Sequence, residues 1–182
     1  MSATQLSRLW SIGKSQWLVM IAGALIYGAL WALERQLTLP NLLFISIRPS
    51  VAAPLVCGLL WGPVVGFVVG ALGLLLGDFV VPGPEFPIYW DVGAGLLGLV
   101  AGLSALVIRD FRSWREYVAA EVWALVAIYV SLDYVTIRQA TYEGPIQDPW
   151  NAIFMPAFIS NSVNALILAP ILIWVLQKIK RR

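Results

Sequence analysis

Asn161 and Asn164 stand three residues apart inside a long apolar stretch near the C-terminal end, with Asn151, Phe154 and Phe158 beside them at helical spacing. An amide in hydrocarbon is costly unless something hydrogen-bonds it, so such residues face a neighbouring helix, a cavity or a ligand. In the preceding apolar stretch Tyr129, Asp133 and Thr136 share one face by steps of four and three. Tyr89, Trp90 and Asp91 open an earlier one. Taken singly, the tyrosines and tryptophan read as interfacial belt residues and the asparagines as interhelical glue. Taken together, Tyr89, Trp90, Asp91, Tyr129, Asp133, Asn151, Asn161 and Asn164 read as the wall of a substrate-binding pocket. Aromatic faces would stack a flat, polar small molecule, and amides and carboxylates would orient it.

That chemistry is recognition rather than catalysis. The chain has no histidine and a single cysteine, Cys57, which excludes an internal disulfide and an ordinary zinc cluster. Cys57 reads as small apolar packing. No nucleophile with a paired base and no G-x-x-x-x-G-K phosphate loop is visible, so neither an enzyme nor a metal or cofactor site in this chain is expected. Glu121, about one turn into its helix, reads as a partner of Arg115 or as a carboxylate favoured by the helix N-terminus, not as a proton relay.

These residues must be positioned by elements that live in lipid. Of 182 residues 60% are hydrophobic and 12% charged, whereas soluble domains carry about a quarter charged. A span needs about 20 mostly apolar residues. The chain reads as one all-α polytopic membrane domain, 1–182, of six transmembrane helices at about 16–34, 49–61, 64–80, 88–108, 117–137 and 150–177. Gly62-Pro63 separates the second helix from the third, because proline lacks an amide proton and restrains the residue before it. The N-terminal segment does not have the pattern of a cleavable signal.

Arg8, Lys14, Arg109, Arg112, Arg115, Lys178, Lys180, Arg181 and Arg182 fall in the tails and in the loop between helices four and five, leaving Arg35, Arg48 and Arg138 for the other face. Positive-inside bias therefore predicts both termini in the cytoplasm and the 81–87 loop outside. Acids are skewed outward, at Glu34, Asp78, Glu85, Asp91, Asp133, Glu143 and Asp148. The net charge of +2 hides this asymmetry, and no nucleic-acid partner is indicated.

Glycines recur at 66, 70, 73 and 77 in the third helix and at 95, 98 and 102 in the fourth, which predicts close helix packing. In the first helix Ala24, Gly28 and Ala32 form a stripe at four-residue spacing. It reads either as an internal seam or as a partner-docking face.

The segment "IRPSVAAPLVCGLLWGPVVGFVVGALGLLLGD" resembles the substrate-binding S components of energy-coupling factor (ECF) vitamin transporters, and most of all their riboflavin-type subgroup. Arg-Pro opens the second helix, Gly-Pro joins it to the third, and an aspartate follows the glycine-rich stretch. The first-helix stripe departs from the family pattern in reading Ala-x-x-x-Gly-x-x-x-Ala rather than two alanines four apart. The resemblance implies a prokaryotic cell-membrane subunit that binds a vitamin from outside, riboflavin above thiamine or another. It implies docking through helix 1 on a membrane coupling subunit served by two cytoplasmic ATPases, which use the ATP. It also implies that "LTLPNLLFISIR", "VPGPEFPIYWD" and "QATYEGPIQDP" cap the ligand. Two other readings compete. A six-helix scaffold of the cell-wall elongation machinery would bind partners and need no pocket, and a carrier acting alone would want a carboxylate deep in the membrane.

Overall fold

The computed structural model describes residues 10–37, 41–42, 45–81, 87–108, 110–143 and 146–180. Within them six helices follow one another: α1 (Lys14–Leu37), α2 (Ala52–Trp61), α3 (Pro63–Val80), α4 (Ile88–Gly102), α5 (Trp114–Tyr142) and α6 (Met155–Lys180). Between α1 and α2 lies a two-stranded antiparallel ribbon, β1 (Asn41–Leu42) and β2 (Ile45–Ser46), which the sequence reading does not contain. Five of the helical segments are long and apolar enough to cross a membrane, and Pro49–Trp61 is a shorter apolar helix. The ends differ from expectation where the backbone tightens or loosens. A 3-10 turn at Pro49–Val51 leads into α2, another at Leu103–Leu106 ends α4 early, and a π turn at Trp150–Phe154 precedes α6. The expected outer loop falls largely on residues 82–86, outside the described residues, as do Arg8, Arg109, Arg181 and Arg182.

Local chemistry explains the joints. Gly62 adopts φ 99°, which a side chain disfavours, and Pro63 supplies the first turn of α3 without needing a donor. Gly62 N–H closes α2 onto the Gly58 carbonyl at 2.8 Å while its own carbonyl accepts from Gly66 at 3.1 Å, so one residue ends one helix and begins the next. At the start of α5 Ser113 and Glu116 form a reciprocal capping box, and Glu116 also accepts from the Arg112 N–H at 2.8 Å.

Helices α3 and α4 pack backbone to backbone. A Cβ added at Gly66 or Gly98 would collide with the other residue's carbonyl, and one at Gly70 would collide with that of Ala94. Lipid provides no hydrophobic drive between helices, so such contact must come from van der Waals approach, which only small residues permit. The Ala24, Gly28, Ala32 stripe serves the same purpose. All three residues are buried, and a Cβ on Gly28 would lie 2.8 Å from the Gly73 carbonyl oxygen and 3.1 Å from the Gly77 nitrogen. Of the two sequence readings of this stripe, the internal seam is what the fold displays, with α3 as its cover. The opposite face of α1, with Leu18, Ala22, Leu25, Ile26, Ala29 and Leu33, is exposed. Cys57 packs with Met20 and Val69 in one apolar cluster. A second cluster joins Leu55, Leu97, Ile128, Ala165 and Ile173.

Candidate ligand-binding site

Beside the α3–α4 glycine contact stand the larger side chains of Leu74, Trp90 and Leu97. A narrow cavity opens there, with a volume of about 50 Å³, tighter than the ~300–1,000 Å³ typical of small-molecule sites. All six helical segments contribute: Tyr27 and Trp31 from α1, Arg48 and Val51 at the entry to α2, Leu74 from α3, Trp90, Ala94 and Leu97 from α4, Ser131, Leu132 and Val135 from α5, and Asn161 from α6. Three aromatic rings, a guanidinium, a hydroxyl and an amide are thus brought to one end of the bundle.

The polar members are held by hydrogen bonds between elements. The Trp31 indole donates to Asp78 Oδ1 at 2.8 Å, and Arg35 approaches the same oxygen at 3.8 Å. The segment carrying Arg48 is pinned from two sides. Glu34 accepts from the Ser50 N–H at 2.6 Å and from the Ser50 hydroxyl at 2.7 Å, while Asn164 Oδ1 accepts from the Arg48 N–H at 3.0 Å. Asn164 Nδ2 then returns to the Ser160 carbonyl at 2.8 Å. Ser131 donates its hydroxyl to the Gly93 carbonyl at 2.7 Å, tying α5 to α4 beside the cavity. Short polar tethers of this kind matter in an apolar bundle because each buried donor left without a partner costs about 1–3 kcal/mol.

The structure divides the eight expected pocket residues. Trp90 and Asn161 line the cavity. Asp91 lies on α4 one turn before Ala94 and is 6% exposed. Asn164, also buried, has its amide engaged by the Arg48 backbone and by its own helix, so it positions the wall rather than forming it. Tyr89 turns into a separate groove, where its hydroxyl donates to Glu143 beside Tyr134, Arg138 and Tyr142. Tyr129 is half exposed and packs edge-on against Phe154, with centroids 5.4 Å apart. Asn151 is exposed and bonds to Asp148. Asp133 is partly buried and is not among the residues lining the cavity. The expected ion pair of Glu121 with Arg115 does not form; both carboxylate oxygens of Glu121 are buried without a hydrogen-bond partner among the described residues. No group of three or more metal-ligating side chains occurs among the described residues.

Tyr27, Trp31, Arg48 and Ser131 join the cavity without standing out in the sequence as pocket residues. Tyr27 and Trp31 flank Gly28 at i and i+4, so the seam that brings α1 against α3 also aims both rings inward. Arg48 is visible in the sequence as the opening of the second helix, but its direction is set by Glu34 and Asn164, which are 14 residues before it and 116 after it.

Comparison with known proteins gives the family of the chain. The family model described as "ECF-type riboflavin transporter, S component" matches residues 17–181. A UPF0397 protein of Vibrio atlanticus is 23% identical over 139 residues, covering 75% of this chain and 76% of the relative. One from Lactobacillus gasseri is 31% identical over 120 residues, 63% of each chain, and one from Streptococcus gordonii is 30% identical over 128 residues, 68% of this chain and 67% of the relative. No solved structure matches significantly. With a family model spanning nearly the whole chain and five helices of membrane length, this multi-pass membrane protein belongs to the family of ECF-type riboflavin transporter S components, which are substrate-binding subunits and not enzymes.

Proposed function

We propose that the chain binds a vitamin, riboflavin first among the candidates, in the cavity walled by Tyr27, Trp31 and Trp90, and delivers it as the S component of an ECF importer. The single observation that carries this reading is the convergence of all six helical segments on one aromatic, polar-studded cavity at one end of the bundle. Flat rings stack on such walls, and Arg48, Ser131 and Asn161 offer hydrogen bonds to fix orientation. A scaffold needs no such cavity, and the family membership also favours the S component over that reading and over a carrier acting alone.

The distribution of basic residues supports the orientation: the cavity lies at the end opposite Lys14, Arg112, Arg115 and Lys178, so it faces outward and both termini are cytoplasmic. Docking on the coupling subunit falls to the uncovered face of α1, since the Ala24, Gly28, Ala32 face is occupied by α3. The coupling subunit and its two ATPases supply the energy. An absorbance spectrum of the purified protein tests the ligand, since retained riboflavin colours the preparation yellow. A titration of the stripped protein, read by quenching of tryptophan fluorescence, tests the site. Absence of riboflavin binding in both experiments removes riboflavin as the ligand.

A further inference from the structure

Among the described residues that line the cavity, Arg48 is the only charged side chain; Glu34, Asp78 and Asp91 are not among them. Two of the other lining donors are already committed. The Trp31 indole N–H goes to Asp78 Oδ1 at 2.8 Å, and the Ser131 hydroxyl goes to the Gly93 carbonyl at 2.7 Å. Arg48 differs. Its backbone N–H is held by Asn164 Oδ1 at 3.0 Å, yet its guanidinium forms no ion pair and no hydrogen bond among the described residues. Glu34 holds Ser50, two residues further on, through both oxygens at 2.6 and 2.7 Å rather than pairing with Arg48. The residue is thus placed by its backbone, between Asn164 and the Glu34–Ser50 tether, while its side chain keeps its donors unspent.

A guanidinium stays protonated, carries five N–H donors in a planar fork and has no acceptor. Charged groups without a bonded partner are expensive at the end of an apolar bundle, and those that persist there mark ligand paths. The complement Arg48 lacks is an oxygen acceptor, and two acceptors in one plane meet the fork with parallel bonds. A cation in the same place is repelled. We propose that Arg48 is the specificity-determining residue of the cavity: it receives an oxygen acceptor on the flat part of the ligand, a ring carbonyl or a carboxylate, and turns away cationic heteroaromatics. The inference rests on the cavity being the vitamin site. Tyr27, Trp31 and Trp90 present rings that accept neutral and cationic ligands alike. Asn161, whose Oδ1 is also without a partner among the described residues, carries both a donor and an acceptor and does not choose between them. Discrimination therefore passes to Arg48, and in a cavity of about 50 Å³ no inserted ring edge lies far from any wall residue.

Three probes separate the sources of the acceptor: riboflavin, whose ring system bears two carbonyls; 4-pyridoxate, a flat ring bearing a carboxylate; and thiamine, a cationic heteroaromatic with neither. Each is titrated into the full chain in lipid nanodiscs as wild type, Arg48→Met and Arg48→Lys, the last keeping charge and length if the methionine variant fails to fold. The wild type is expected to bind thiamine most weakly. Arg48→Met is expected to lose about tenfold or more in affinity for riboflavin or 4-pyridoxate, with no loss for thiamine and no fall in the thermal midpoint of the empty protein. Arg48→Lys is expected to lose part of that affinity, because the charge remains and the fork is gone. Loss confined to riboflavin assigns the acceptor to ring carbonyls, and loss confined to 4-pyridoxate assigns it to an anionic oxygen. If riboflavin and 4-pyridoxate bind the wild type and both variants alike, or if the wild type binds thiamine more tightly than either, the role of Arg48 is overturned. Trp90→Ala in the same titrations keeps the two readings apart: a loss there with none at Arg48 leaves the cavity as the vitamin site. Binding of none of the three probes to the wild type overturns both.

Discussion

The two ends of the α3–α4 pair behave oppositely. At one end Gly66, Gly70 and Gly98 bring the backbones into contact so close that a single methyl on either helix finds a carbonyl in its place. At the other, Leu74 and Trp90 line a narrow cavity. The same two helices thus serve as a clamp and as a wall. In lipid, side-chain size along a helix limits how closely a neighbour can approach, because lipid supplies no hydrophobic drive between helices.

Breaking the clamp should have the largest effect. Gly98→Leu forces a side chain into the Gly66 backbone, and the expected cost is about 3 kcal/mol or more, at the upper end of overpacking penalties. Size-exclusion profiles and thermal midpoints in detergent should show an aggregated or strongly destabilised protein, and a monodisperse variant of unchanged midpoint would refute the seam.

Altering the wall should leave folding intact and strike binding. Trp90→Ala removes one of the three rings lining the cavity, and affinity for riboflavin should fall by about 2 kcal/mol, roughly thirtyfold, as for buried aromatic anchors elsewhere. Calorimetric titration measures it. An unchanged affinity would move the site elsewhere.

The two asparagines of α6 sit three residues apart and have different tasks. Asn161 lines the cavity, with its Oδ1 buried and without a partner among the described residues. Asn161→Ala should weaken binding by about 1–3 kcal/mol with little change in the stability of the empty protein. Asn164 instead holds the Arg48 backbone, so Asn164→Ala should lower stability by about 1 kcal/mol and change affinity only through the displacement of Arg48. The double variant Asn164→Ala with Arg48→Ala checks this: once Arg48 is gone, the asparagine should have no further effect on binding. Additive losses would show that Asn164 acts on the ligand itself.

The smallest effects are expected outside the cavity. Tyr129→Ala and Asn151→Ala alter residues that pack on Phe154 and Asp148 respectively, and affinity should stay within about 0.5 kcal/mol of wild type. A larger loss in either would mean that the site extends across α5 and α6 beyond the walls described.

Most of the helical framework is legible in the sequence because hydrocarbon demands long apolar runs and leaves few ways to end them. The α2–α3 joint is read correctly from Gly62-Pro63 alone, and the glycine spacing in α3 and α4 announces close packing before any partner is known. The site is legible only in part. Trp90 and Asn161 stand out as polar or aromatic residues in apolar spans, whereas Tyr129 and Asp133 share a helical face that does not line the cavity. In a soluble helix the apolar stripe tells which face is inside. In a membrane helix every face is apolar, so the periodicity that groups residues does not say where the group points.

Composition and spacing by themselves determined the membrane setting, the six helices, the glycine seams and the absence of histidine-based chemistry, since each follows from solvent and sterics acting along the chain. Which way the helices turn depends on how they pack. That packing set Tyr27 and Trp31 against the cavity through the Gly28 seam, fastened Arg48 between Glu34 and Asn164, and left Tyr89 in a neighbouring groove. Those outcomes depend on contacts between residues as much as 116 positions apart, and the rotation of a helix whose whole surface is apolar is settled only when its neighbours are in place.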